Sequence, residues 1–124
     1  MIRQPAVAGY FYPGNRDELT RQLAAMIPDR EKLDARAIVV PHAGYMYSGS
    51  VAGEVYGSVE LAQRYVILCP NHTGQGSDFD LYPEGEWLTP LGSARVDSEL
   101  CRQLLERFPH AVQDGRAHAR EHSL

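Results

Sequence analysis

With 124 residues, 44% of them apolar, the chain has the hydrophobic content of one ordinary globular domain. Eleven arginines and one lysine against sixteen acids give a net charge of −4, which leaves no basic surplus to neutralise a phosphate backbone and argues against nucleic acid as a partner. The longest apolar runs, AIVVP and YVILCP, are strand-sized and the start MIRQPAVAGYFYPGN has no signal-like apolar core, so the expectation is a cytoplasmic protein with no membrane partner.

The first element in the chain is a helix over Asn15 to Ile27. Asn15 and Glu18 have the spacing of a capping box, Leu19, Leu23, Met26 and Ile27 share one face, and Pro28 ends the run. A polar link leads to Ala37–Val40, a β-branched run too apolar to be half-exposed, which predicts an inner strand of a parallel sheet stopped by Pro41. Ser50 to Val59, with Val51, Val55 and Val59 four apart and small residues between them, predicts a short helix that approaches a sheet closely. Tyr65–Cys69 repeats the earlier pattern, an apolar strand stopped by Pro70, so strand, helix and strand form one βαβ unit. The stretch DFDLYPEGEWLTPLGSARVD is broken by Pro83, Gly85, Pro90 and Gly92 and predicts short edge strands and turns. Asp97 then caps a further helix with Leu100, Leu104, Leu105 and Phe108 inward and Pro109 at its end. The final DGRAHAREHSL has no apolar stripe, and two clear parallel strands would leave an open edge, so the chain reads as truncated at its carboxyl end. The fold class expected is α/β, a mostly parallel sheet flanked by helices. Cys69 and Cys101 lack CxxC spacing and read as buried, reduced thiols.

In a βαβ unit both strands run the same way, so the loops after them emerge at one sheet edge, where open α/β proteins bind ligands. Pro41-His42 and Pro70-Asn71-His72 both fall there. Parallel strands lie about 4.8 Å apart, close enough for two imidazoles to share an ion at bond lengths of about 2.0 to 2.1 Å. A single histidine after a strand is as readily a cap that bonds a loop carbonyl. Two at matching positions, each in a glycine-rich loop (HAGY, HTGQG), favour a shared ligand or catalytic site. Tyr45, Tyr47 and Ser48 either line that site or pack beneath the loop. His118-Ala-Arg-Glu121-His122 spells the H-x-x-E-H of inverted zinc peptidases, but without the helical apolar face that motif works on. The more economical reading folds Glu121 and His122 back toward the histidine edge, as groups that orient ligands or move protons. No GxxxxGK phosphate loop and no GxSxG nucleophile elbow is present.

PAVAGYFYP, VVPHAGYMYSGSVAGEVY, YVILCPNH, WLTPLG with VD before a helix, and AHAREHSL occur in this order over essentially the whole chain. Together they resemble the Memo family, whose bacterial and archaeal members are also called system protein B of the AmmeMemoRadiSam set. The resemblance implies residues 1–124 as the amino-terminal portion of a single α/β domain, with a fold shared with class III extradiol dioxygenases. It implies His42 and His72 as metal ligands, Phe11 and Tyr47 as ligand-binding residues of the same pocket, and His122 and His118 as catalytic histidines. Cys69 stands where many members have glycine. The family's further aspartate, histidine and cysteine lie in a second half that is not in this chain. The cofactor implied is a divalent metal, iron first, with copper and zinc as the other candidates.

Two functions follow from the resemblance. One is a non-haem metal-dependent oxidoreductase of dioxygenase type. The other is a non-enzymatic adaptor that takes a phosphorylated or anionic aromatic ligand in the same pocket. The implied partners are a small aromatic or anionic ligand, further copies of the chain in a homo-oligomer, and a functional link to AMMECR-type and radical SAM proteins.

Overall fold

Asn15 begins the first helix, α1 (Arg16–Met26), as the capping-box spacing predicts: its side-chain oxygen accepts from the N–H groups of Asp17 at 2.9 Å and Glu18 at 3.2 Å. The two acids in the first turn also complement the positive end of the helix dipole. Leu19 is the buried residue of its apolar face. The structure, a computed structural model, describes all 124 residues, and the chain divides into two units, Met1–Ala6 with Leu68–Leu124 and Val7–Ile67.

In the Val7–Ile67 unit a π-helical turn, Tyr45–Gly49, runs directly into α2 (Ser50–Gly57). The small residues of α2 do permit close approach, but to the end of α1 rather than to a sheet. A Cβ on Gly53 would stand 2.0 Å from the Met26 carbonyl oxygen, and one on Gly57 would stand 2.4 Å from that of Pro28. Only glycine allows the two backbones to meet there. Val59 lies beyond the helix and is buried where Leu33 bridges to it, Leu33 donating to the Ser58 carbonyl at 2.8 Å.

The other unit holds the sheet. β1 (Ile2–Arg3) pairs parallel with β2 (Glu86–Thr89), and β2 pairs antiparallel with β3 (Gly92–Arg95) across the two-residue turn Pro90-Leu91. Gly92, at φ 144°, occupies backbone space that side chains rarely enter. α3 (Ser98–Arg107) starts where predicted, with Asp97 accepting from the Leu100 N–H at 3.0 Å. Its buried residue is Cys101, whose Sγ lies 3.4 Å from the Tyr82 carbonyl. Leu100, Leu104 and Leu105 are half-buried, and Phe108 is 41% exposed while meeting Phe79 edge-on at 5.1 Å. A four-residue helix, α4 (Arg116–Ala119), follows.

The protein is thus α/β, with the predicted helices and the predicted short strands near residues 86–95. The sheet is mixed rather than mostly parallel, and the predicted strands Ala37–Val40 and Tyr65–Cys69 pair into no ladder, so no βαβ unit forms. Val39 is 92% exposed and Leu68 90%. An inner parallel strand gains its stability from strands on both edges and layers on both faces, and these two runs have neither. The β2–β3 hairpin needs only a two-residue turn, so its closure entropy is small. Cys69 is half-buried rather than buried. No helix is long and apolar enough to cross a membrane.

Candidate functional site

The predicted site residues fall into two groups, one in each unit. Phe11, Tyr47 and His42 belong to the Val7–Ile67 unit, and His72, His118 and His122 belong to the other.

Around His72 the loop Asn71–Gln75 is fixed by its own first residue. The Asn71 side-chain oxygen accepts from the Thr73 N–H at 3.0 Å, the Thr73 hydroxyl at 2.9 Å and the Gly74 N–H at 3.1 Å, while its amide donates to the Gln75 carbonyl at 2.7 Å. Gly74 takes a positive φ of 65° to complete the turn. The loop presents His72 to Glu121, which is 2% exposed. His72 Nδ1 lies 2.8 Å from Glu121 Oε1, and the His72 backbone N–H donates to Oε2 at 2.6 Å. The N–H groups of His122 and Ser123 each donate to Oε1 at 2.8 Å. Burial pushes the Glu121 carboxyl up, but the bonds from His72 and Ser123 outweigh it and hold the carboxyl well below the usual range.

The carboxyl-terminal turn is held from several sides. Ser123 Oγ donates to the Pro70 carbonyl at 3.0 Å. Buried Arg3, on β1, donates through Nε to the His118 carbonyl at 3.1 Å and through Nη2 to the Glu121 carbonyl, with its guanidinium 4.3 Å from the Trp87 ring centre. His122 stacks on His72, centroids 4.4 Å apart and planes 19° from parallel. His118 points elsewhere, edge-on to Tyr82 and Trp87, with Nε2 3.7 Å from Asp80 Oδ1. α4 ends at Ala119, so His118 and His122 never share a helical face and the peptidase geometry of H-x-x-E-H is absent.

His72, Glu121 and His122 bring one ligand-type atom each within 4.8 Å of one another. Glu121 accepts three hydrogen bonds at Oε1 and one at Oε2, and so ties the His72 loop to the carboxyl-terminal turn. By accepting from Nδ1 it fixes the Nδ1–H tautomer of His72, the carboxylate–histidine arrangement found behind metal ligands. The His122 ring lies nearly parallel to that of His72, within reach of the same solvent-facing side of the turn. The residues therefore fit a metal through His72.

In the Val7–Ile67 unit, Phe11 and Tyr47 do come together. Both line an open cavity of about 800 Å³, along with Tyr10, Tyr12, Tyr45 and Glu18. A tight turn forms its floor: Tyr10 and Phe11 N–H groups donate to the Val7 carbonyl, and Tyr45 N–H donates to the Phe11 carbonyl at 2.7 Å. His42 is exposed beside the Ala43–Tyr47 segment. Sequence reasoning missed Arg3, whose only signal is an arginine in an otherwise weakly polar amino-terminal stretch, and Asp80, which carried none.

An α/β chain in which a buried carboxylate orients an imidazole has the elements of a histidine-based metal or acid–base site. A family model described as Memo-like protein matches residues 3–124. A MEMO1 family protein of Aquifex aeolicus is 45% identical over 99% of this chain and 46% of its own length. One of Pyrococcus horikoshii is 44% identical over all of this chain and 45% of its own, and one of Methanobrevibacter smithii is 39% identical over all of this chain and 50% of its own. The chain belongs to the Memo family, and it spans about half the length of the curated relatives it matches.

Proposed function

We propose that the protein is a non-haem metal-binding member of the Memo family, with His72 as a ligand, His122 as the proton-carrying group beside it and a pocket related to those of class III extradiol dioxygenases. The observation that carries the reading is the pair of bonds between His72 and Glu121, 2.8 Å from the ring and 2.6 Å from the backbone, which holds one imidazole in the Nδ1–H tautomer. The resemblance assigns a metal role to His42 as well. A bound Fe(II) would supply open positions for oxygen and a chelating substrate, and copper or zinc would occupy the same nitrogen ligands. Within the chain, Glu121 holds the His72 tautomer, and the His122 ring stacked at 4.4 Å is positioned to take or return a proton. His118, facing Asp80, is the further histidine of the assignment. The test is metal analysis of anaerobically purified protein, followed by oxygen uptake with catechols. Iron bound at one per chain with turnover supports the oxidoreductase reading, and absence of both iron binding and turnover removes it.

A second reading, a non-enzymatic binding module, draws on the cavity that Phe11 and Tyr47 line together. There the ligand is recognised by aromatic walls rather than transformed.

A further inference from the structure

The cavity of the Val7–Ile67 unit has a wall of aromatic rings and a particular charge. Phe11, Tyr12, Tyr45 and Tyr47 line it, with the Tyr12 and Tyr45 rings 5.5 Å apart and tilted by 39° to form a corner. Burial, then the neighbouring Tyr12 and Tyr56, push the Tyr45 phenol up, so it stays uncharged at neutral pH. Among the lining residues the charged side chain is Glu18, and no lysine or arginine takes part. Gln22, one helical turn beyond Glu18 on α1, also lines the cavity, and its Oε1 is buried with no hydrogen-bond partner, an acceptor in want of a donor. The nearby start of α1 offers little to an anion, because Asn15 already accepts from the N–H groups of Asp17 and Glu18.

A phosphorylated ring would meet a carboxylate and a bare amide oxygen here, with no cation to receive it. A ring that carries an ammonium group meets complementary partners throughout: π faces for its charge and its ring, Glu18 for the cation, and Gln22 Oε1 for an N–H. We propose that this cavity binds a small aromatic ammonium compound, with Glu18 and Gln22 setting its preference for positive charge. The volume of about 800 Å³ is within the range of small-molecule sites and exceeds what such a ligand fills.

The inference rests on the binding reading of the cavity. Calorimetric titration of the full chain, in buffer with EDTA to keep metals away from the histidines, tests it with benzylammonium chloride and phenyl phosphate as the two probes. Benzylammonium is expected to bind at least tenfold tighter than phenyl phosphate and to weaken with added salt. Glu18→Gln and Gln22→Leu are each expected to weaken it about three- to fivefold, with the helix signal in circular dichroism unchanged. Glu18 is exposed in the first turn, and glutamine there keeps capping-box chemistry, so that variant folds. Equal or tighter binding of phenyl phosphate overturns the charge preference and leaves the cavity a binding site. Binding of neither probe overturns both readings, and an unchanged affinity in Glu18→Gln overturns the role of that carboxylate.

Discussion

His72 and Glu121, 49 positions apart, are joined twice, ring nitrogen to one carboxylate oxygen and backbone N–H to the other. A single carboxylate thereby anchors the Asn71-held loop at His72 and sets the tautomer of the imidazole.

Glu121→Gln removes the charge that holds the Nδ1–H tautomer. Zinc affinity, followed by competition with a chromophoric chelator, is expected to fall about 10- to 100-fold in this variant. His72→Ala is expected to lose at least tenfold. Wild-type affinity in His72→Ala would remove that histidine from the site.

Acid should destabilise the protein through the same carboxyl. Its folded pKa is depressed, so its contribution is fully present above the unfolded value of about 4.3 and is lost as pH falls through and below that value. Urea midpoints measured from pH 7 down to pH 3 are expected to decline in the wild type and more gently in Glu121→Gln, which has no charge to lose. Parallel curves would contradict this account.

Arg3 supports the turn that delivers Glu121. Arg3→Lys keeps the charge but loses the fork that reaches the His118 and Glu121 carbonyls together, and is expected to cost about 2 kcal/mol. Trp87, the single tryptophan, lies beneath the guanidinium, so its fluorescence should shift in the folded variant as well.

Gly53→Ala puts a methyl group 2.0 Å from a backbone oxygen that cannot rotate away. A loss of about 3 kcal/mol in thermal unfolding is expected, the upper end of overpacking costs. A variant as stable as the wild type would mean that α1 and α2 separate at low cost.

The two thiols should differ in rate. Cys101 is buried, and burial followed by the nearby Asp97 pushes its pKa up, whereas Cys69 is half-buried. A disulfide reagent at pH 8 should modify Cys69 first and Cys101 only on unfolding, as peptide mapping of the labelled chain would read.

The sequence by itself determined what is settled locally. Asn15 and Asp97 cap helices because a side-chain oxygen placed before the first turn satisfies donors that are its neighbours in the chain. Proline and glycine around residues 83–92 delimit the hairpin for the same short-range reason. The motif order was enough for the Memo resemblance, and of the His42 and His72 edge toward which Glu121 and His122 were expected to fold, the His72 loop is the part they meet. The strands at Ala37–Val40 and Tyr65–Cys69 were not decidable in this way, because an apolar run becomes a strand only where other strands and layers meet it. Tertiary structure alone decided that Glu121 accepts from four N–H groups, that the His72 and His122 rings lie nearly parallel, and that His118 faces Asp80. Each is a matter of direction between groups distant in the chain, and hydrogen bonds and imidazole lone pairs act only along fixed directions, which residue spacing does not encode.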